Sequence, residues 1–184
     1  MAAEQKLIEQ FNLRSRLRFN VDDGQIWLDE NRMLLLHARS MGALRRELFD
    51  SLGAERAKGL LIRMGFASGQ QDAELAKKLL GAGDPYDVFR IGAELHSFEG
   101  LVKATIVKAD LDWERGIFAG EVDWYNSWEA DSHLQLFGIS DDPACWTIVG
   151  YASGYVTQFF NRPVIFKETA CVACGEAHCH IVGK

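Results

Sequence analysis

The sequence lacks an uninterrupted apolar run long enough to span a bilayer. Its start, MAAEQKLIEQFNLRSRLRF, carries charges throughout and has no apolar core, so it is not a signal peptide. We therefore expect a cytoplasmic protein without a membrane partner. Positive charge is outnumbered by negative charge: 20 Lys and Arg residues stand against 26 Asp and Glu, so the formal net charge is -6 and the pI about 5.4. A surface that displaces counterions from phosphates needs a basic patch, so we expect no direct nucleic-acid contact.

Sequence motifs of common enzyme classes are missing as well. The chain contains no GxSxG, P-loop, GxGxxG or HExxH pattern, and its adjacent carboxylates resemble solvated turns. Internal repeats, low-complexity stretches and linkers are also absent. The 184 residues, 48% of them hydrophobic, can bury one sizeable core. We predict one non-enzymatic α+β domain, with helices packed against an antiparallel sheet.

Hydrophobic periodicity predicts where the helices and strands lie. Apolar–polar alternation on either side of Asp23-Gly24 indicates a tight β-hairpin over 17–28. Glycines inside the second helix, and Gly150 and Gly154 on one face of the last helix, indicate close helix packing or a break. The predicted helices are 33–52, 54–80, 128–138 and 142–160, with Asp142 as N-cap and Pro143 first in the last one; the predicted strands are 100–112, 116–127, 163–170 and 178–183, and 81–87 is a predicted loop.

Three of the four cysteines lie within nine residues near the end of the chain, as Cys171, Cys174 and Cys179. Ordinary reduced cysteines seldom cluster so tightly, and thiols in the cytoplasm bind metal more often than they form disulfides. Zinc prefers four ligands in a tetrahedron, and a closed four-ligand site would be structural. By sequence position, the fourth ligand could be Cys145, Glu168, His178 or His180.

Single aromatic and histidine residues carry no functional signal in isolation. His96 is, by itself, best interpreted as an ordinary core or surface histidine, and Trp124 as core packing. The same interpretation applies to Phe89, Phe98, Tyr155 and Phe166.

Longer segments resemble a known family. The stretch GQIWLDENRMLLLHARSMGALRRELFDSLGAERAKGLLIRMGFASGQQDAELA is similar to the amino-terminal sensory domain of the aromatic-responsive sigma-54-dependent transcriptional activators, the phenol-, xylene- and toluene-sensing regulators. The stretches DPACWTIVGYASGY and IFKETACVACGEAHCHIVGK resemble the family's module named after 4-vinyl reductase. The resemblance runs from about residue 17 to the end of the chain.

The resemblance implies a ligand set and an effector site. In the family, zinc is held by three cysteines and one glutamate, which match Cys145, Glu168, Cys171 and Cys179. Cys174 is the alternative fourth ligand. His96 and Trp124 match the histidine and tryptophan that contact the hydroxyl of a phenol, and Phe89, Val122, Tyr155 and Phe166 match residues lining the pocket.

The resemblance also implies an organisation. Residues 1–30 are expected to form an amino-terminal hairpin and dimerisation segment, and 31–184 the effector-binding 4-vinyl-reductase-like domain with its zinc motif. Family members continue into an ATPase domain and a helix-turn-helix domain, so this chain resembles a sensory fragment that acts as a homodimer and restrains the ATPase until an effector binds. Alternatives are a sensor of non-hydroxylated aromatics, a small-molecule enzyme, and a purely structural zinc module without a pocket.

Overall fold

The computed structural model describes residues 12–80, 84–112 and 114–184. The chain divides into two compact units, 1–41 and 42–184. Along the chain, the structure contains a one-turn helix α1, a first group of strands β1 to β3, helices α2 to α4, strands β4 and β5, helices α5 and α6, strand β6, a short 3-10 helix and strand β7. Their bounds are α1 Leu13–Arg16, β1 Leu17–Asn20, β2 Gln25–Leu28, β3 Asn31–Met33, α2 Ala38–Leu52, α3 Ala54–Leu80, α4 Pro85–Phe98, β4 Lys103–Asp112, β5 Ile117–Tyr125, α5 Trp128–Phe137, α6 Trp146–Phe160, β6 Phe166–Ala170, the 3-10 helix Val172–Cys174 and β7 Cys179–Gly183.

The first unit contains a small antiparallel sheet in the order β1-β2-β3. The predicted hairpin is confirmed: Asn20 pairs with Gln25, and Gly24 takes the positive φ of 63° that a tight turn demands. The third strand was not predicted. Residues 1–11 of the predicted dimerisation segment lie outside the described residues.

The second unit is built on two helices whose backbones touch. A Cβ atom on Gly65 or Gly69 of α3 would fall 1.8 or 2.1 Å from a carbonyl oxygen of α6, and one on Gly154 of α6 would fall 2.0 Å from a carbonyl oxygen of α3. Only glycine permits such an approach. The predicted close packing of these glycines is therefore confirmed, and α3 and α6 form the helical layer behind the sheet.

The main sheet is antiparallel throughout, in the order β4-β5-β7-β6. Strand β7 lies in its centre, where Trp124 of β5 faces Cys179 and Val122 faces Ile181. With helices packed on an antiparallel sheet, the predicted α+β class is confirmed. No helix among the described residues is both long and apolar enough to cross a membrane.

Two helices and two strands begin several residues later than predicted, the strands at Lys103 rather than 100 and at Phe166 rather than 163, and one helix was missed. Helix α2 begins at Ala38 and not at 33, because residues 31–33 pair with β2. Helix α4 was missed: part of it was predicted as loop, although Asp84 caps it and Pro85 is its first residue. Helix α6 begins at Trp146 rather than near Pro143, because Cys145 has a non-helical ψ of 54°.

Candidate functional site

An apolar cavity lies between the sheet and helices α4 and α6. Its volume is about 50 Å³, several times the roughly 10–15 Å³ that a single water needs on the same measure. Strands β4, β5, β6 and β7 supply one wall, and the two helices supply the other. The lining residues are Phe89, Gly92, Ala93, His96, Ala104, Ile106, Val122, Trp124, Tyr151, Ala152, Tyr155, Val156, Phe166 and Ile181.

The structure brings together all six residues that the family resemblance placed in the pocket: His96, Trp124, Phe89, Val122, Tyr155 and Phe166 line this one cavity. Phe98, interpreted as core, is not among the lining residues. Tyr151 also lines the cavity, and its ring stacks on that of His96. It was not identified from the sequence. Its signal was available, because Tyr151 and Tyr155 are four residues apart and share one face of α6.

His96 is the polar group of greatest interest in this wall. It is 3% exposed, and its Nε2 atom has no hydrogen-bond partner among the described residues. Burial lowers its pKa to about 3, so the ring is neutral and offers one donor and one acceptor nitrogen. Its ring meets that of Trp124 edge-on, with 5.8 Å between centroids. An unpaired polar atom in an apolar wall is suited to a ligand with one polar group.

A second cluster lies where the sheet meets the start of α6. One ligand atom each from Cys145, Glu168, Cys171 and Cys179 lies within 4.8 Å of the others, and the three thiols are buried. Their sulfur atoms are 3.6 to 3.9 Å apart. In a tetrahedral zinc site with bonds of about 2.3 Å, two sulfurs are separated by about 3.8 Å. The spacing of the thiols therefore fits a cation with tetrahedral coordination.

The surroundings of the cluster also fit a cation. Backbone N–H groups of Ala144 and Val172 donate to the sulfurs of Cys171 and Cys179 at 3.5 and 3.3 Å, an arrangement that stabilises thiolates. Glu168 accepts the Cys145 N–H through Oε2 at 3.0 Å, whereas its buried Oε1 has no partner in the part of the chain that the structure describes. That oxygen is available for a fourth bond to a metal. The set is closed, so it suits a structural ion rather than a catalytic one.

The protonation of the cluster also fits a bound cation. Burial raises the pKa of Glu168 to about 8, and the neighbouring Cys171 sulfur contributes to the same rise. Without a cation, the cluster thus holds protons, and a divalent ion would displace them. In this chain the four residues fit zinc, which would cross-link β6, β7 and the start of α6.

The other candidate ligands do not belong to this group of four. Cys174, at the end of the 3-10 helix, is not part of the four-residue group, and its pKa is raised to about 11 by desolvation. His178 and His180 flank Cys179 in sequence and contact a different residue. Their ring nitrogens lie 3.4 and 2.7 Å from an Asp123 carboxylate oxygen.

A buried ion pair beside the cluster was not predicted. Arg45 of α2 donates to Glu129 of α5 at 2.6 Å and to the Ala144 carbonyl at 2.8 Å, and both charged side chains are fully buried. Glu129 also accepts the backbone N–H groups of Thr147 and Ile148, at 2.7 and 3.1 Å, so it caps α6 from another helix. An arginine in a charged helical stretch and a glutamate 84 residues away carry no sequence signal of this contact.

Known proteins resemble the chain over most of its length. Residues 12–112 match the family described as "Activator of aromatic catabolism", and residues 124–184 match the 4-vinyl-reductase domain. The phenol regulator MopR of Acinetobacter guillouiae is 40% identical over an alignment of 183 residues, and the match covers 97% of this chain and 33% of MopR. The transcriptional regulatory protein XylR of Pseudomonas putida is 42% identical over 173 residues, covering 94% of this chain and 31% of XylR.

A solved structure extends the comparison to three dimensions. The crystal structure of the phenol-responsive sensory domain of the transcription activator PoxR with phenol matches with a TM-score of 0.93 and 44% identity. The match covers 97% of this chain and 89% of that one. The chain spans about a third of the length of MopR and XylR.

Proposed function

The chain belongs to the family of activators of aromatic catabolism, and from that membership we propose that it is the effector-binding sensory domain of a sigma-54-dependent transcriptional activator. The effector is phenol or a small substituted phenol. The observation that carries this proposal is the buried His96 Nε2, which has no partner among the described residues and lies in a mostly apolar cavity. PoxR, whose sensory domain responds to phenol, supports the same choice.

Two kinds of residue in the cavity would recognise two parts of the effector, its ring and its hydroxyl. Phe89, Val122, Tyr155 and Phe166 accept an aromatic ring by burial, at roughly 25 cal/mol per Å² of apolar area. His96 and Trp124 then select for a hydroxyl, since neutral imidazole donates or accepts and indole donates. A plain hydrocarbon would leave these groups unpaired, at about 1–3 kcal/mol for each.

The test is calorimetric titration of the chain with phenol and with toluene. We expect phenol to bind more tightly. His96→Ala should weaken phenol more than toluene, and Trp124→Phe should cost phenol about 1 kcal/mol, because it keeps the ring contact and loses the N–H donor. His133→Ala is the matched control, because His133 is also buried with an unpaired ring nitrogen but does not line the cavity.

Equal binding of toluene and phenol by the unmodified chain, with a ratio that neither substitution changes, would contradict hydroxyl selection. The domain would then sense non-hydroxylated aromatics such as benzene, toluene or xylene by shape. Conversion of phenol to a product would instead indicate an enzyme. We propose that the chain only binds its effector, and that ATP hydrolysis belongs to a domain outside this chain that it restrains until an effector binds with different affinity to two states.

We further propose that the cation is zinc, held by Cys145, Glu168, Cys171 and Cys179. Elemental analysis should find one zinc per chain. A cytoplasmic location suits these ligands, because thiols there stay reduced.

The proposed oligomer is a homodimer formed through residues 1–30, with 31–184 as the effector-binding domain. The first unit exposes large apolar side chains, among them Phe19 and Val21 of the hairpin, as expected of a surface that a partner covers. In sedimentation, a chain lacking residues 1–30 should run as a monomer. A truncated chain that still sediments as a dimer would place the interface elsewhere.

A further inference from the structure

Ring packing constrains the orientation of His96. Its Nε2 atom makes no hydrogen bond among the described residues, yet the ring plane is closely constrained. The ring of Tyr151 lies flat against it, with 4.0 Å between centroids and 10° between planes. The ring of Trp124 meets it nearly at a right angle, at 79°. An imidazole whose flat face lies on another ring keeps its plane parallel to that ring, so Tyr151 fixes the plane in which the His96 nitrogens lie.

Tyr151 is itself anchored from behind. Its hydroxyl donates to a carboxylate oxygen of Asp72 at 2.6 Å, and Asp72 is only 5% exposed. The Glu99 carboxyl directly follows α4, the helix that carries His96, and lies close enough to the Asp72 carboxyl for each to shift the pKa of the other. These three side chains link three elements: Asp72 belongs to α3, Tyr151 belongs to α6, and Glu99 lies at the end of α4.

Such an arrangement is costly, because two neighbouring carboxyl groups are removed from water. Desolvation raises the pKa of both, and the proximity of Asp72 raises the pKa of Glu99 further, so the pair holds a proton at neutral pH. Well-packed apolar side chains between the three helices would often stabilise the fold at least as well. The network therefore needs an explanation beyond folding, and its position directly behind the cavity wall supplies one.

We infer that Tyr151 is a positioning residue for His96, and that the Asp72–Tyr151 hydrogen bond holds the imidazole in the orientation that recognises the effector's hydroxyl. This inference rests on the proposed function. Asp72 does not line the cavity, so it acts on the imidazole through Tyr151. Selectivity for hydroxylated aromatics would then depend on a residue of α3 that never contacts the ligand.

The test measures the ratio of phenol to toluene affinity by calorimetry. Tyr151→Leu removes the stacked ring, Tyr151→Phe keeps it but removes the anchor, and Asp72→Leu removes the acceptor. All three should lower the ratio, Tyr151→Leu by about fivefold or more, which is the factor that one hydrogen bond is worth. Asp72→Asn is the conservative control: its amide oxygen still accepts from Tyr151, so the ratio should stay within about twofold of that of the unmodified chain.

The readout separates positioning from general damage. A purely structural role would weaken phenol and toluene together and leave their ratio unchanged, and that result would overturn the inference. If Tyr151→Leu does not fold, the comparison of Asp72→Leu with Asp72→Asn decides in the same way. If the unmodified chain does not prefer phenol, the proposed function fails. If it prefers phenol and loses this preference in His96→Ala but not in the Tyr151 and Asp72→Leu variants, the positioning role alone fails.

Discussion

We expect removal of Glu129 to lower the free energy of unfolding more than removal of its buried partner Arg45. Arg45→Met leaves the Glu129 carboxylate buried, but three donors still bind it: the N–H groups of Thr147 and Ile148 and the Thr147 hydroxyl at 2.8 Å. Glu129→Met leaves the guanidinium with one carbonyl and the face of Trp146, 4.3 Å away, and also removes the cap of α6.

The magnitudes follow from these remaining partners. Breaking a buried ion pair costs about 3–5 kcal/mol, and losing a helix cap costs about 1 kcal/mol more. We expect Arg45→Met to lower the free energy of unfolding by about 3 kcal/mol and Glu129→Met by about 4–6 kcal/mol. The double variant leaves no buried charge unpaired at this site. It should lose only about 1–2 kcal/mol, mostly from the uncapped helix, and so be more stable than either single variant.

Urea unfolding of the metal-loaded chain at pH 7, followed by far-UV circular dichroism, gives all four free energies. Fluorescence is less suitable, because Trp146 lies against Arg45. The coupling energy of the double-mutant cycle is the decisive quantity. A double variant that loses the sum of the two single losses would refute the reasoning, because it would mean that neither charge is left uncompensated when its partner is removed.

Three further predictions concern helix packing, the metal and the buried carboxyl pair. Gly69→Ala should destabilise the chain by about 1–3 kcal/mol in urea unfolding, because its Cβ would fall 2.1 Å from a carbonyl oxygen of the facing helix. The control is Gly59→Ala, whose Cβ meets only a flexible arginine at 3.3 Å. It should be neutral or stabilising by up to about 1 kcal/mol. Chelation of the metal and Cys171→Ser should each lower the melting temperature and promote aggregation in a thermal scan. Cys174→Ser should have little effect in the same scan. Equal damage from both serine variants would make Cys174 a ligand. Glu99 has a folded-state pKa raised to about 9, so its contribution to stability is complete below about pH 4.5 and is lost as the pH rises to about 9. This loss amounts to at most about 1.4 kcal/mol per pH unit, and Glu99→Gln should make the decline of stability with pH shallower, because only the raised pKa of Asp72 then remains of the pair. An identical pH profile for both proteins would contradict it.

The sequence predicted best those features whose cause is local. Asp23-Gly24 specifies a tight turn by its own backbone preferences, and the hairpin is present as predicted. The spacing of Gly65 and Gly69, and of Gly150 and Gly154, indicated close packing because a missing side chain has few other uses inside a helix. The cysteine spacing likewise indicated a compact cluster, although only the family resemblance favoured Glu168 over Cys174.

Features fixed by distant contacts were not predictable in this way. Gly92 weakens the helical signal of α4, yet it is required there, because a Cβ at that position would fall 2.5 Å from the ring of Tyr155. The start of α6 is delayed to Trp146, where Glu129 from another helix replaces the local cap that Asp142 was predicted to provide. In both cases a residue far away in sequence outweighs the local preference.

Strand β7 has a practical consequence for genetic work on this domain. Cys179 belongs to the thiol cluster and Ile181, two residues further along the same strand, lines the cavity, while their partners on β5 are Trp124 and Val122. A shift of Cys179 would therefore move the cavity wall directly. If the chain is the proposed effector-binding domain with zinc at the thiol cluster, a screen for loss of the response to an aromatic compound would collect variants of both sites, and an assay of zinc content would sort them.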